Sequence, residues 1–336
     1  MQPYDRPPMP RLKVALMTLV LQTDHRLDSS AIADQQFLLR HKKSNAETSG
    51  YAGVVLFVHG ATYAASLTYD YSVDGLSWMD RMALDGFDCW AIDLLGYGGA
   101  DRPAAMDAPA ADNPPLTDTA DAEADVISAI DYILAATGQQ QIMLIGYSWG
   151  TAICGGVAAA HGDKISRLIL LGALWTNIEP RGVRVDGALG AYRLVDSAAA
   201  AARWVIGLSE AQIAAVVPLG RIDAWVAATL ASDPANSPEK PQILRAPAGV
   251  VKDIQTYWTQ NIPTYEPAAI TPPTMVIMGE WDHETTPDQG WNVFQRLTGA
   301  AERRYMVIGE GSHSLPLENQ RGALFAVVDS YLKEAL

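Results

Sequence analysis

One serine stands between two glycines at two-residue spacing in Gly146-Tyr147-Ser148-Trp149-Gly150, and it has the plainest chemical potential in the chain. A serine hydroxyl is a poor nucleophile until a base takes its proton and a third group orients that base. The pentapeptide follows the apolar run Gln141 to Ile145 and precedes Thr151 to Ala160, a small-residue stretch suited to a tightly packed helix. Strand, sharp turn and helix is the setting that a G-x-S-x-G serine demands, with its hydroxyl exposed in a strained conformation and a helix N-terminus behind it. The flanking glycines answer to sterics, because neighbouring backbones in such a turn leave no room for a Cβ at 146 or 150.

The base can be sought by position among six histidines. His313 lies in Gly309-Glu310-Gly311-Ser312-His313-Ser314, directly after the last apolar run. That is the carboxyl edge at which ligand sites of open α/β sheets form. In sites built on this turn the acid comes between serine and histidine. The loop Gly279-Glu280-Trp281-Asp282-His283-Glu284 offers three carboxylates. Asp282, at a turn position after a strand, is the choice for the acid, with Glu280 and Glu284 as rivals. His283 is expected to line the pocket or to face solvent. The oxyanion needs backbone N–H groups that are already in place. Trp149 supplies one, and the loop Val58-His59-Gly60-Ala61-Thr62 supplies the other, from Ala61 or alternatively Thr62. His59 reads as a structural residue that hydrogen-bonds loops near the site.

These residues must be carried by elements. Six apolar runs read as strands: Val54 to Val58, Cys89 to Ile92, Ile142 to Ile145, Leu168 to Leu171, Met275 to Met278 and Tyr305 to Ile308. None alternates, so both faces should be covered by helices. Thr117 to Ala136 places Val126, Ile127, Ile130, Ile133 and Leu134 on one helical face, with Gly138 as a stop. Glu318 to Leu336 reads as a closing amphipathic helix, and Pro103 to Pro115 as a loop. Strands alternating with helices predict a mainly parallel sheet. Trp175 to Pro263 breaks the rhythm: it is rich in alanine, helical in pattern and without a convincing strand. It reads as a helical cap, residues 175–263, inserted between core parts 1–174 and 264–336. Ser209 and Gln212 form a capping box there, and Arg221 to Leu230 and Val250 to Gln260 are further helices. The cap aromatics Trp225 and Trp258, with Thr62 and Tyr147, are the candidate lining of a substrate pocket.

Composition bounds the rest. The 336 residues are 49% hydrophobic and 18% charged, enough to bury a large core. A formal charge of −14 excludes nucleic acid as a natural partner and disfavours anionic membranes. Cys89 and Cys154 sit in apolar or small-residue surroundings and read as buried free thiols in a reduced compartment. The apolar stretch Val14 to Leu21 is too short to span a bilayer. The charged residues Asp24, His25, Arg26 and Asp28 behind it do not suit a signal peptide. An early strand and a cytoplasmic location are therefore expected over secretion, with no stable membrane insertion. The oligomeric state is open between a monomer and a homodimer.

From about Gln35 onward the chain resembles capped α/β-hydrolases. The likeness is carried in order by His59-Gly60, Asp93-Leu94-Leu95-Gly96-Tyr97-Gly98 with Asp101-Arg102-Pro103, the Ser148 turn, and the Asp282 and His313 loops. The resemblance implies an α/β-hydrolase fold: a mostly parallel eight-stranded sheet flanked by helices, with an inserted helical cap. Epoxide hydrolases and haloalkane dehalogenases of that superfamily carry an aspartate where Ser148 stands. Prolyl iminopeptidases resemble the Ser148-Trp149-Gly150 portion but have a glycine/proline-rich loop in place of Ala61-Thr62-Tyr63. The stretch His59 to Tyr63, with Trp78 and Met79, is similar to bacterial esterases, some active on polyesters. The implied reaction is hydrolysis of a small-molecule or oligomeric carboxylic ester through an acyl-enzyme on Ser148, without metal or organic cofactor. The alternatives are another acyl transfer, carbon–carbon hydrolysis, an aminopeptidase, or a ligand-binding protein that retains the triad.

Overall fold

The computed structural model describes residues 20–45, 51–176, 183, 188–218, 220–237 and 242–334. Its strands are β1 (Val20–Asp28), β2 (Gln36–Ser44), β3 (Gly53–Val58), β4 (Phe87–Asp93), β5 (Ile142–Tyr147), β6 (Ile165–Leu171), β7 (Tyr192–Val195), β8 (Leu244–Pro247), β9 (Thr274–Gly279) and β10 (Arg303–Ile308). Eight of them form one sheet in the order β1-β2-β4-β3-β5-β6-β9-β10. β2 pairs antiparallel with both neighbours, and all other pairings in this sheet are parallel. The six strands expected from the apolar runs are β3, β4, β5, β6, β9 and β10.

Side chains of β3 show why those runs are continuous. Val54, Leu56 and Val58 enter one hydrophobic cluster, while Val55 and Phe57 enter another on the opposite face. The first face is covered by helices Thr119–Thr137 and Trp149–Ala160, and the second by helices Trp78–Leu84 and Arg321–Lys333. Here α1 is Trp78–Leu84, α2 Thr119–Thr137, α3 Trp149–Ala160, α4 Ser197–Trp204, α5 Glu210–Val216, α6 Arg221–Ala231, α7 Gly249–Thr256, α8 Pro287–Arg296 and α9 Arg321–Lys333. Helix ends follow local chemistry. Asp118 caps α2 through a capping box, and Gly138 ends it at φ 70°. The Ser209–Gln212 capping box opens α5.

Two expectations need correction, and a third lies mostly beyond the described residues. β10 is an edge strand with Met306 and Val307 exposed, so it is not covered on both faces. The segment between β6 and β9 does contain strands: β7 and β8 form an antiparallel ribbon, Tyr192 opposite Pro247 and Val195 opposite Leu244. Each strand is four residues long, too short to show a period, and its partner lies about fifty residues away in the chain. The early strand expected within Arg11 to Leu21 falls mostly outside the described residues. Val20 and Leu21 begin β1, which pairs with β2 in a largely polar hairpin at the sheet edge. One face of such a hairpin meets solvent, so it carries no apolar run.

Cys89 and Cys154 are buried free thiols. No single helix among the described residues is long and apolar enough to cross a membrane. Between β6 and β9, Trp204, Val216, Trp225, Val226, Leu230 and Leu244 build a separate small core. Val73 and Leu317 join it from outside that segment.

The α2–α3 contact stores a pH dependence. Glu123 of α2 packs against Gly156 of α3, and its Oε1 is buried without a hydrogen-bond partner. Burial, with Asp253 and Asp118 adding like charge, pushes this carboxyl up to about 8. A folded value above the unfolded one means that its stabilising contribution is complete below about 4.3 and is lost as pH rises towards 8. The melting temperature of Glu123→Gln should therefore exceed that of the wild type by a margin that widens from pH 5 to pH 8. Parallel melting curves over that range would contradict this account.

Candidate active site

Ser148 occupies φ 55°, ψ −122°, between the last rung of β5 and the first turn of α3. Its N–H donates to the Leu171 carbonyl at 2.8 Å, so the β5–β6 ladder holds the residue until the chain turns. A Cβ on Gly146 would stand 2.9 Å from Cys154 Sγ, and one on Gly150 would stand 2.7 Å from the His59 carbonyl oxygen. Real side chains do not tolerate such contacts, so both glycines are required by space. Thr151 Oγ1 donates to the Ser148 carbonyl at 2.6 Å and accepts from Leu174 N–H at 2.9 Å, pinning the turn to the chain after β6.

The loops after β9 and β10 bring two further residues to this serine. Ser148 Oγ lies 2.9 Å from His313 Nε2, and His313 Nδ1 lies 2.8 Å from Asp282 Oδ2. All three are buried. Asp282 is fixed in turn: its Oδ1 accepts the N–H groups of Glu284 and Thr285, each at 2.9 Å, and its Oδ2 accepts the Thr285 hydroxyl at 2.9 Å. With a carboxylate against Nδ1, the proton of neutral imidazole belongs there and the Nε2 lone pair faces Ser148. Burial disfavours the imidazolium, but Asp282 and Glu284 outweigh it, so His313 titrates above the ordinary imidazole value.

The His313 loop is clamped from two sides. Tyr147 donates its hydroxyl to the His313 carbonyl at 2.7 Å. Glu318, fully buried, accepts Ser312 N–H at 2.9 Å, the Ser312 hydroxyl, and Trp204 Nε1–H at 3.3 Å. Burial pushes the Glu318 carboxyl up to about 7.

The rival carboxylates part company. Glu280 turns away and accepts Glu310 N–H at 2.9 Å. Glu284 does reach the site but on the wrong side to orient Nδ1: its Oε2 lies 3.9 Å from His313 Nε2. Arg203 of α4 grips it, with Nε 3.0 and 3.1 Å from its two oxygens and Nη2 2.9 Å from Oε2. Arg203 holds Glu284 ionised against its burial. The same guanidinium donates through Nη1 to Thr62 Oγ1 at 2.7 Å and to the Ala61 carbonyl at 3.3 Å. Arg193 of β7 donates to that Thr62 oxygen at 2.7 Å.

The loop after β3 completes the surround. A Cβ on Gly60 would stand 2.9 Å from Ser148 Cβ, which puts the Ala61 peptide beside Ser148. Trp149 begins α3, so its N–H has no intrahelical acceptor. His59 is the structural residue expected of it: Nδ1–H donates to the Gly60 carbonyl at 2.7 Å and Nε2 accepts Leu94 N–H at 3.2 Å. The Asp93 motif folds around its own carboxylate, which accepts Ala65 N–H at 2.8 Å and Gly99 N–H at 2.9 Å.

Ala61, Tyr147, Trp225, Arg203, Glu284 and Leu317 line a cavity at Ser148 and His313, together with Tyr63 and Trp204. It leaves about 20 Å³ for the centres of water molecules, room for roughly one. Trp258 is the misplaced expectation. It is fully buried in the main core, with Nε1–H donating to Thr264 Oγ1 at 3.2 Å, and is not part of this lining. Thr62 sits behind the lining as the acceptor of two guanidiniums, and His283 packs against Gly207. Arg203, Thr285 and Glu318 were missed. Only Thr285 had a local signal, since an aspartate readily accepts from N–H groups two and three residues on.

A family model described as the alpha/beta hydrolase fold matches residues 53–320. No curated protein sequence matches the chain significantly. An esterase from Thermogutta terrifontis superposes with a TM-score of 0.57 at 15% identity, covering 92% of this chain and 98% of its own. The esterase RhEst1 from Rhodococcus sp. ECU1013 gives 0.57 at 16% identity, covering 93% and 98%. A meta-cleavage product hydrolase from Pseudomonas fluorescens gives 0.58 at 14% identity, covering 93% and 99%. At these identities the likeness is one of fold. Sheet order, the Ser148 turn and the family match over most of the chain lead to one assignment: this protein belongs to the α/β-hydrolase fold family.

Proposed function

We propose that the protein is a serine hydrolase that cleaves carboxylic esters through an acyl-enzyme on Ser148. The observation that carries this reading is the chain of contacts from Ser148 Oγ to His313 Nε2 at 2.9 Å and from His313 Nδ1 to Asp282 at 2.8 Å. His313 takes the serine proton as Oγ attacks the ester carbonyl, and Asp282 steadies the imidazolium and its tautomer. The N–H groups of Ala61 and Trp149 receive the oxyanion. His313 then returns the proton to the leaving alcohol, and a water activated by the same imidazole releases the acid. None of these steps calls for a metal or an organic cofactor.

In this reading residues 175–263 are the cap over core parts 1–174 and 264–336, and they choose the substrate. Trp204, Trp225, Tyr63 and Leu317 offer the acyl or alcohol group an apolar wall. A small or oligomeric ester must displace that wall to enter, since the cavity holds only about one water. Carbon–carbon hydrolysis is the second reading, favoured by the likeness to a meta-cleavage product hydrolase. It uses the same three residues.

Purified protein should release p-nitrophenol from a short-chain ester, and Ser148→Ala should lower the rate by on the order of 10⁶-fold while leaving the melting temperature within a few degrees. No turnover across esters, lactones and amides, with turnover of a vinylogous β-diketone instead, would select the second reading. For the pH dependence, His313 must be neutral to act as base, so kcat/KM should fall as pH drops through its raised value. The inflection is expected above about 6.5, and Asp282→Asn should cost about 10⁴-fold. An inflection at or below about 6.5 would contradict the electrostatics described for His313.

A further inference from the structure

Two oxygens face one nitrogen at this site. Ser148 Oγ lies 2.9 Å from His313 Nε2 and Glu284 Oε2 lies 3.9 Å from it, so a shift of about 1 Å would bring the carboxylate to hydrogen-bond distance. The carboxylate is charged and the hydroxyl is not, and charge-assisted hydrogen bonds are roughly twice as strong as neutral ones. Once Nε2 carries a proton, Glu284 should therefore win the nitrogen from the hydroxyl. It is kept from doing so by Arg203, which takes both of its oxygens and is itself tied to Thr62 and Ala61. The Arg203 guanidinium also lies over the Tyr63 ring, 5.2 Å from its centroid. Both partners of the pair are buried, at 10% and 7% side-chain exposure, so solvent does little to weaken the grip.

We infer that Arg203 is a positioning residue that withholds Glu284 from His313, and that without it Glu284 captures Nε2 and leaves Ser148 with no base. The inference rests on the reading of Ser148, His313 and Asp282 as the hydrolytic triad. With Arg203 removed, His313 would lie between Asp282 on Nδ1 and Glu284 on Nε2 and would hold its proton as an imidazolium. Other charged or titratable groups face the histidine without competing for Nε2. Tyr147 of β5 bonds its carbonyl, and Glu318 holds Ser312 beside it. Arg193 of β7 donates to Thr62, and its charge helps Arg203 to keep Glu284 ionised. Glu284 already raises the His313 value in the intact protein, and Arg203 opposes that rise. A segment outside the sheet thereby sets the proton affinity of the base at the centre of the site.

The test compares wild type, Arg203→Met, Glu284→Gln and the double variant. It reads the rate at which a fluorophosphonate labels Ser148 as a function of pH, with melting curves to establish folding. Arg203→Met should label at least about tenfold more slowly at pH 7, with its acid inflection moved up by one unit or more. Glu284→Gln should move the inflection down. The double variant should recover most of the rate lost in Arg203→Met, because the competing carboxylate is gone. A double variant as slow as Arg203→Met, or an unmoved inflection in that single variant, would overturn the inference and reduce the pair to a structural tie. Should Arg203→Met not fold, an unmoved or raised inflection in Glu284→Gln overturns it equally. Absence of labelling in the wild type at any pH would instead remove the triad reading, and this inference with it.

Discussion

The positive φ of Ser148 is the constraint on which the site depends. A non-glycine residue held there costs about 1–3 kcal/mol, and the surrounding chain over-determines it. Leu171 takes its N–H, Thr151 takes its carbonyl, and Gly146, Gly150 and Gly60 surrender the space that side chains would fill. Relaxing the turn would break the β5–β6 rung and separate the serine from the Gly60 loop together. The strain thus fixes the hydroxyl towards His313 and brings the Ala61 peptide near, two requirements met by one conformation.

Electrostatics then divides labour among carboxylates of the same chemical type. Asp282 is held by three donors and faces Nδ1. Glu284 is neutralised by Arg203 and stands off Nε2, and Glu318 is buried behind the loop with its value raised to about 7. Position, not residue type, decides which of them orients the imidazole. Arg203 and Trp204 both come from α4, so the segment between β6 and β9 is wired into the loops after β3, β9 and β10.

The loops that meet at Ser148 were legible because each is local. Ser148, Asp282 and His313 lie just past apolar runs that read as strands, and the glycines beside them mark turns. Gly138 and the Ser209 capping box were legible for the same reason. What escaped depends on partners distant in sequence. β7 and β8 show no period in four residues each, and the polar hairpin of β1 and β2 has no apolar run. Arg203 lies in an alanine-rich helix where nothing nearby announces that it reaches Glu284 and Thr62. Trp258 was misjudged because a tryptophan in a helical segment fits a core and a pocket equally well by pattern. Its burial with Val250, Val251 and Ile254 settles which it joined.

If Ser148 is covalently acylated during turnover, rapid-quench mass spectrometry on a slowly released activated ester will catch the adduct. The account predicts a transient mass increase equal to the acyl group, mapped to the peptide containing Gly146 to Gly150 and decaying at the rate of steady-state turnover. Turnover of the ester with no acylated peptide at any quench time, or with the acyl group on another residue, would contradict it.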